Sequence, residues 1–309
     1  MSLVERALKK LQESRNAAGE PALAPAGHVV RTASEFHAPH RLAPAPVVPV
    51  VTEEAIPLEP ARRVSIDRGV LRTMGLLAPE ESERQVASQY QQVKRPLIAS
   101  ALGKTDPKIP NGHLIMLASA LPGEGKTFTS INLALSMARE KDTEVLLVDA
   151  DVAKPHVTKI FGLQSERGLL DLLVDGKLRP SSLILPTDIR GLSLLPAGQH
   201  IDNATELLAS ERMLQVALEL GSSSGRRIVL FDSPPLLLST ESRALIAAVG
   251  QVVLVVRAEV TAQQAVRDAI EAVGGAKPMS LILNQVSTAP AAGYYGYGSY
   301  GEAKPQGSS

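Results

Sequence analysis

The alternation of apolar and polar positions changes character along the chain. From residue 114 onward, short and mostly apolar runs recur at 114–119 (LIMLAS), 145–150 (VLLVDA), 192–197 (LSLLPA), 228–233 (IVLFDS), 252–257 (VVLVVR) and 280–285 (SLILNQ). Runs this short, with little alternation, predict strands covered on both faces. Between them the apolar positions return at helical spacing, which predicts helices over 128–139, 169–174, 204–220, 240–249 and 262–273, with another over 82–102 ahead of the first strand. Strands alternating with helices at this spacing predict an α/β domain over residues 81–289, its mostly parallel sheet covered by helices on both faces. Such a sheet receives ligands at the carboxyl ends of its strands.

Ahead of residue 81 the pattern is different. Residues 1–15 set Leu3, Val4, Ala7, Leu8 and Leu11 on one helical face among charged neighbours, a short amphipathic helix. Two readings stay open for it: a frayed solvated end, or a docking helix for a partner or membrane surface. Residues 16–80 are rich in Ala, Pro and Val, and eight prolines between Pro21 and Pro60 cannot sustain a ladder or bury a face, so a largely disordered linker is expected. Its last part, 62–80, is mixed in charge and is given no function; a short strand and turn is its local expectation. A flexible Gly/Tyr-rich tail is expected over 290–309.

Composition removes several chemistries. The chain has 309 residues and no Cys or Trp, which excludes disulfides, thiolate catalysis and cysteine-built zinc sites. Its six histidines are scattered or sit in the proline-rich stretch, so a histidine metal centre is not expected. Lys+Arg and Asp+Glu balance at 32 each, which offers no case for a nucleic-acid partner. No apolar run approaches the roughly 20 residues of a membrane-spanning helix, and the charged N-terminus is unlike a signal peptide. The cytoplasm is the expected location.

The strongest local signal is Ala120-Leu121-Pro122-Gly123-Glu124-Gly125-Lys126-Thr127, placed directly after the 114–119 strand and opening a helix at Phe128. Glycines let the backbone N–H groups of such a loop converge on phosphate oxygens, and the helix N-terminus adds partial positive charge. Residues Pro122 to Phe128 would thus cradle a nucleotide, with Lys126 at the β and γ phosphates and Thr127 on Mg²⁺. Ala120 stands where the usual pattern has its first glycine. Asp149 and Asp151 leave the next strand together, where carboxylates hold Mg²⁺ or accept a proton, and Asp149 is the candidate base. Asp232 closes the 228–233 strand and is placed to hold a magnesium water. Acidic strand ends taken singly are solvated turn formers; three aimed at one expected ligand predict a magnesium nucleotide site, hence the P-loop NTPase class. Arg257 and Asn284 end later strands, where Asn284 either meets the base or caps a turn. Four of the five tyrosines, Tyr294, Tyr295, Tyr297 and Tyr300, sit in the glycine-rich tail, which is unlike core usage and suits exposed phosphoacceptors.

With these motifs in order, the chain from about Arg84 to Tyr300 resembles the cytoplasmic kinase domain of bacterial tyrosine kinases, themselves similar to ParA and MinD type ATPases. The stretches MSLVERALKKL, QYQQVKRPL and DADVAKP most resemble the soluble branch associated with exosortase and exopolysaccharide gene clusters. The resemblance implies ATP and Mg²⁺, catalysis by Lys126, Asp149, Asp151 and Asp232, and metal holding by Thr127, Asp151 and Asp232. It also implies autophosphorylation of the tyrosine tail between subunits and regulation of exopolysaccharide polymerisation or export. Its implied partners are other copies of the chain, a separate membrane activator of the polysaccharide co-polymerase type and a cognate tyrosine phosphatase, with recruitment to the inner face of the membrane. The chain departs from the family at Ala153-Lys154, where an Arg is usual, and at Gln89 and Gln92, where only Arg95 remains of a Glu-x-x-Arg-x-x-Arg helix. A ParA- or MinD-like ATPase switch and a noncatalytic nucleotide-binding scaffold are the alternatives.

Overall fold

Seven strands organise the molecule, a computed structural model that describes residues 63–222, 225–275 and 277–286. The strands are β1 (Leu114–Ser119), β2 (Glu144–Asp149), β3 (Leu185–Pro186), β4 (Leu192–Leu195), β5 (Arg227–Asp232), β6 (Gln251–Arg257) and β7 (Met279–Asn284). They stand side by side in the order β3-β4-β2-β5-β1-β6-β7. All pairs are parallel except β3 with β4.

Period-two geometry explains why β1 reads as an unbroken apolar run. Met116 and Ala118 face one buried layer with Leu146, Phe231 and Leu254, while Ile115 and Leu117 face the other with Leu147, Leu230 and Val253. Both sides are dry, so both residue parities must be apolar. The first layer is completed by α5 (Leu169–Val174), α7 (Glu211–Gly221), α8 (Thr240–Ala248) and α9 (Gln263–Val273). The second is covered by α2 (Glu83–Ala101) and α3 (Lys126–Met137), which contribute Leu97, Ile131, Leu133 and Met137.

The expected single helix over 204–220 is two helices, α6 (Ala204–Leu208) and α7. The break is at Ser210, which turns extended and accepts a hydrogen bond from the Met213 N–H, capping α7. The ordered body also begins earlier than residue 81. Val64 bridges to Thr187, Asp67 caps the short α1 (Arg68–Thr73), and Val64, Ile66, Leu71 and Leu77 are buried in the second layer. Pattern reading passed over α1, α4 (His156–Ile160) and the two-residue β3: α1 buries only Leu71, α4 only Val157 and Thr158, and β3 has two half-buried residues, so none presents the apolar stripe that a period needs. The amphipathic segment 1–15, the linker up to residue 62 and the tail tyrosines lie outside the described residues.

Candidate nucleotide site

Sheet order brings the predicted residues together. With β5 inserted between β1 and β2, Asp149 stands in register with Asp232, and Asp232 with Leu117 of β1. The phosphate loop rises from β1, so both carboxylates end beside it. On its other flank Arg257 of β6 pairs with Asn284 of β7.

The loop takes the shape its glycines allow. Gly123 and Gly125 have φ of 79° and 91°, left-handed values that glycine adopts freely, and Gly125 is the N-cap of α3. Lys126 and Thr127 therefore occupy the first turn of α3, where free N–H groups and the helix dipole favour an anion. Thr127 Oγ donates to one Asp232 oxygen at 2.8 Å, and Ser130 Oγ, one turn further along α3, donates to the other at 2.8 Å. Asp149 is held by Thr158 of α4, whose backbone N–H and hydroxyl both donate to the same oxygen at 2.7 Å. The other oxygen of Asp149 is buried without a partner. Asp151 accepts from the Lys154 N–H at 3.1 Å.

These carboxyls are poorly hydrated. Burial first, and then the nearby Asp232 charge, push Asp149 up to about 7, against the pull of the Thr158 bonds. Burial also raises Asp151 and Asp232, and the Lys126 ammonium works against it at both. Three acids in a dry pocket with one facing ammonium, and an orphaned carboxylate oxygen among them, make a donor set suited to a hard divalent cation. Among the described residues no three His, Asp or Glu side chains form a ready-made cage. Mg²⁺ takes one or two protein oxygens and fills the rest of its shell with phosphate and water.

The geometry bears on three expectations. In the expected cradle, Glu124 turns its side chain into the body, 3 % exposed and accepting from the Leu121 N–H at 2.9 Å, and leaves only its backbone to the loop. Asn284 was read as meeting the base or capping a turn; its amide donates to the Glu124 carbonyl at 2.9 Å. Asp149 was the candidate base, but at 0 % exposure it cannot meet an incoming phenol, whereas Asp151 at 8 % lies nearer the surface. Pro122 and Gly123 are exposed, Lys126, Thr127, Phe128 and Arg257 half-buried. Sequence reading missed Ser130, Thr158 and Thr261. Only Ser130 left a signal, a hydroxyl at i+3 from Thr127 on one helix face. A cleft of about 870 Å³ bordered by Arg139, Asp142 and Arg226 lies at the opposite, amino-terminal end of β2, away from these groups.

A family model described as an AAA domain matches residues 112–281. The tyrosine-protein kinase wzc of Salmonella typhimurium is 33% identical over 190 residues, which is 61% of this chain and 26% of that protein. The tyrosine-protein kinase YwqD of Bacillus subtilis is 33% identical over 186 residues, 59% of this chain and 77% of that one. The chain thus spans about a quarter of the first relative's length and about three quarters of the second's. Among solved structures, the VpsO kinase domain matches with 30% identity and a TM-score of 0.56, over 67% of this chain and 100% of that one. The BceF tyrosine kinase domain matches with 25% identity and a TM-score of 0.56, over 69% and 85% respectively.

Proposed function

Because this chain belongs to the bacterial tyrosine-protein kinase family, with an AAA domain as its core, we propose that it is an ATP-dependent autokinase acting on its own tyrosine tail. The observation that carries the reading is the meeting of Lys126, Thr127, Asp149, Asp151 and Asp232 at the carboxyl ends of β1, β2 and β5.

The roles follow from placement. N–H groups of residues 123–127 and the Lys126 ammonium bind and orient the β and γ phosphates. Thr127, Asp151 and Asp232 would hold Mg²⁺, Asp232 acting through the Thr127 hydroxyl it fixes or through water, and the partnerless Asp149 oxygen adds negative charge behind them. When bound, Mg²⁺ neutralises charge on the phosphate oxygens. A phenol of Tyr294, Tyr295, Tyr297 or Tyr300 from another copy attacks the γ phosphorus, the bond to the β-γ bridging oxygen breaks, and ADP leaves. Asp151 takes the phenol proton. Tyr90, the other tyrosine, is packed against the second layer and burial pushes its phenol to about 12, so it is not presented for transfer.

Each phosphate adds about 1.5 to 2 negative charges, so a modified tail repels its copies and weakens assembly. Regulation of exopolysaccharide polymerisation or export is the process this serves. Among the described residues no helix is long and apolar enough to cross a membrane. Recruitment is assigned to a membrane activator of the co-polymerase type. The test is incubation with Mg-ATP followed by mass spectrometry of residues 290–309. Phosphotyrosine in the native protein and none in Lys126→Ala is the expected result. A tail that stays unmodified with the activator's cytoplasmic segment present would remove the kinase reading.

A further inference from the structure

A phosphate-binding loop has a standing physical problem, since its N–H dipoles converge on one point and repel each other until an anion arrives. Something else must hold the shape. At the centre of this loop stands Glu124, a carboxylate that would oppose phosphate if it faced the same way. It faces inward, 3 % exposed. One carboxylate oxygen accepts from the Leu121 N–H at 2.9 Å, and the other accepts from the hydroxyl of Thr261.

Thr261 is itself fixed. Its N–H donates to the Arg257 carbonyl at 3.0 Å and its hydroxyl accepts from the Arg257 N–H at 3.2 Å, closing a turn in which Glu259 adopts a left-handed φ of 60°. The same turn is pinned to β7, because the Ala258 N–H donates to the Asn284 carbonyl at 2.9 Å. Asn284 in turn donates to the Glu124 carbonyl. Glu124 is gripped at its carboxylate from the end of β6 and at its carbonyl from the end of β7. The fit leaves no slack: a Cβ on Gly125 would come within 2.0 Å of the Asn284 amide nitrogen.

We propose that Thr261 is a positioning residue for nucleotide binding, which bolts the turn after β6 to Glu124 and so keeps the N–H groups of residues 123–127 in the shape that receives a triphosphate. The proposal rests on the reading of residues 120–127 as that cradle, but not on tyrosine transfer. Its effect falls on ground-state binding, because ATP and ADP present the same diphosphate to the loop.

The experiment compares wild type, Thr261→Val, Thr261→Ser and Glu124→Gln for binding of fluorescent N-methylanthraniloyl-ATP and -ADP with Mg²⁺, a readout that needs no phosphate transfer. Valine keeps the shape and loses the hydroxyl. Thr261→Val should weaken both nucleotides roughly five- to tenfold, while its nucleotide-free melting temperature stays within about 2 °C of wild type. Thr261→Ser should restore binding. Where turnover is measured, KM for ATP should rise with kcat nearly unchanged. Glu124→Gln should also bind more weakly, because an amide cannot accept both hydrogen bonds. Equal binding by Thr261→Val, failure of serine to rescue, or tighter binding by Glu124→Gln would overturn the proposal. The last result would mean that Glu124 acts only as a charge near the phosphates. Wild type that binds nucleotide but leaves its tail unmodified with the activator's cytoplasmic segment present removes the kinase reading and leaves this one standing.

Discussion

Asp149 titrates inside the working range, since burial and Asp232 push it up to about 7. Its folded value lies above its unfolded one, so the folded state holds the extra proton between about pH 4 and 7. The stability that the neutral form contributes is complete at the acid end and lost as pH rises through 7. Asp149→Asn, neutral throughout, should therefore melt near wild type at pH 5 and several degrees above it at pH 8, by nucleotide-free thermal scans. Magnesium works the opposite way because it needs the ionised form: wild-type affinity for Mg-ATP should strengthen as pH rises through 7, and that slope should flatten in the variant, as titration calorimetry at a series of pH values would record. At this scale the sequence was informative about which residues carry charge, and silent on how they are held. Lys126, Thr127 and Asp232 could be named from motif and strand end. Thr158, nine residues from Asp149, and Thr261, 137 residues from Glu124, have no local pattern. Their bonds are made by chain segments that only folding brings together.

Between elements, one join in the second layer is made by a charge. Lys94 of α2 is 1 % exposed, and its ammonium donates to the Ser136 carbonyl at 2.7 Å and pairs with Glu140 at 2.7 Å. It ties α2 to the far end of α3, the helix whose first turn carries Lys126 and Thr127. Truncation would remove a bond from the half-buried Ser136 carbonyl and leave a hole behind it, while Glu140, partly exposed, recovers water. Lys94→Ala should cost roughly 2–3 kcal/mol in urea unfolding, and Lys94→Met should recover part of that by refilling the volume. Gln89, Gln92 and Arg95 face outward on the same helix. Periodicity found α2, α3, α5, α8 and α9 with ends within two residues, because each buries a continuous stripe. It fused α6 and α7, although the buried positions of α6 (Ala204, Leu208) and of α7 (Met213, Val216, Ala217, Leu220) lie on opposite sides of one continuous helix; Ser210 decides the break through its backbone angle and its cap to Met213.

For the molecule as a whole, the burial of residues ahead of 81 has a measurable consequence. Within residues 63–80, Val64, Ile66, Leu71 and Leu77 are buried in the second layer, and Val64 joins the segment to Pro186 and Thr187 beside β3. A chain beginning at Glu81 should melt roughly 10 °C below one beginning at Arg63, since several kcal/mol of apolar burial goes with the removed segment and the Arg72–Glu83 surface pair adds little. Hydrophobic patterning determined the class of fold, because a strand dry on both faces must be apolar at every position, and it placed the phosphate loop, because glycines followed by Lys-Thr have few other uses between strand and helix. Strand order was decided only in three dimensions. Nothing local in residues 227–232 says that this strand enters between β1 and β2, and that insertion sets Asp232 beside Thr127 and Asp149. It rests on the packing of two buried layers at once, a property of the assembled sheet that no single segment contains.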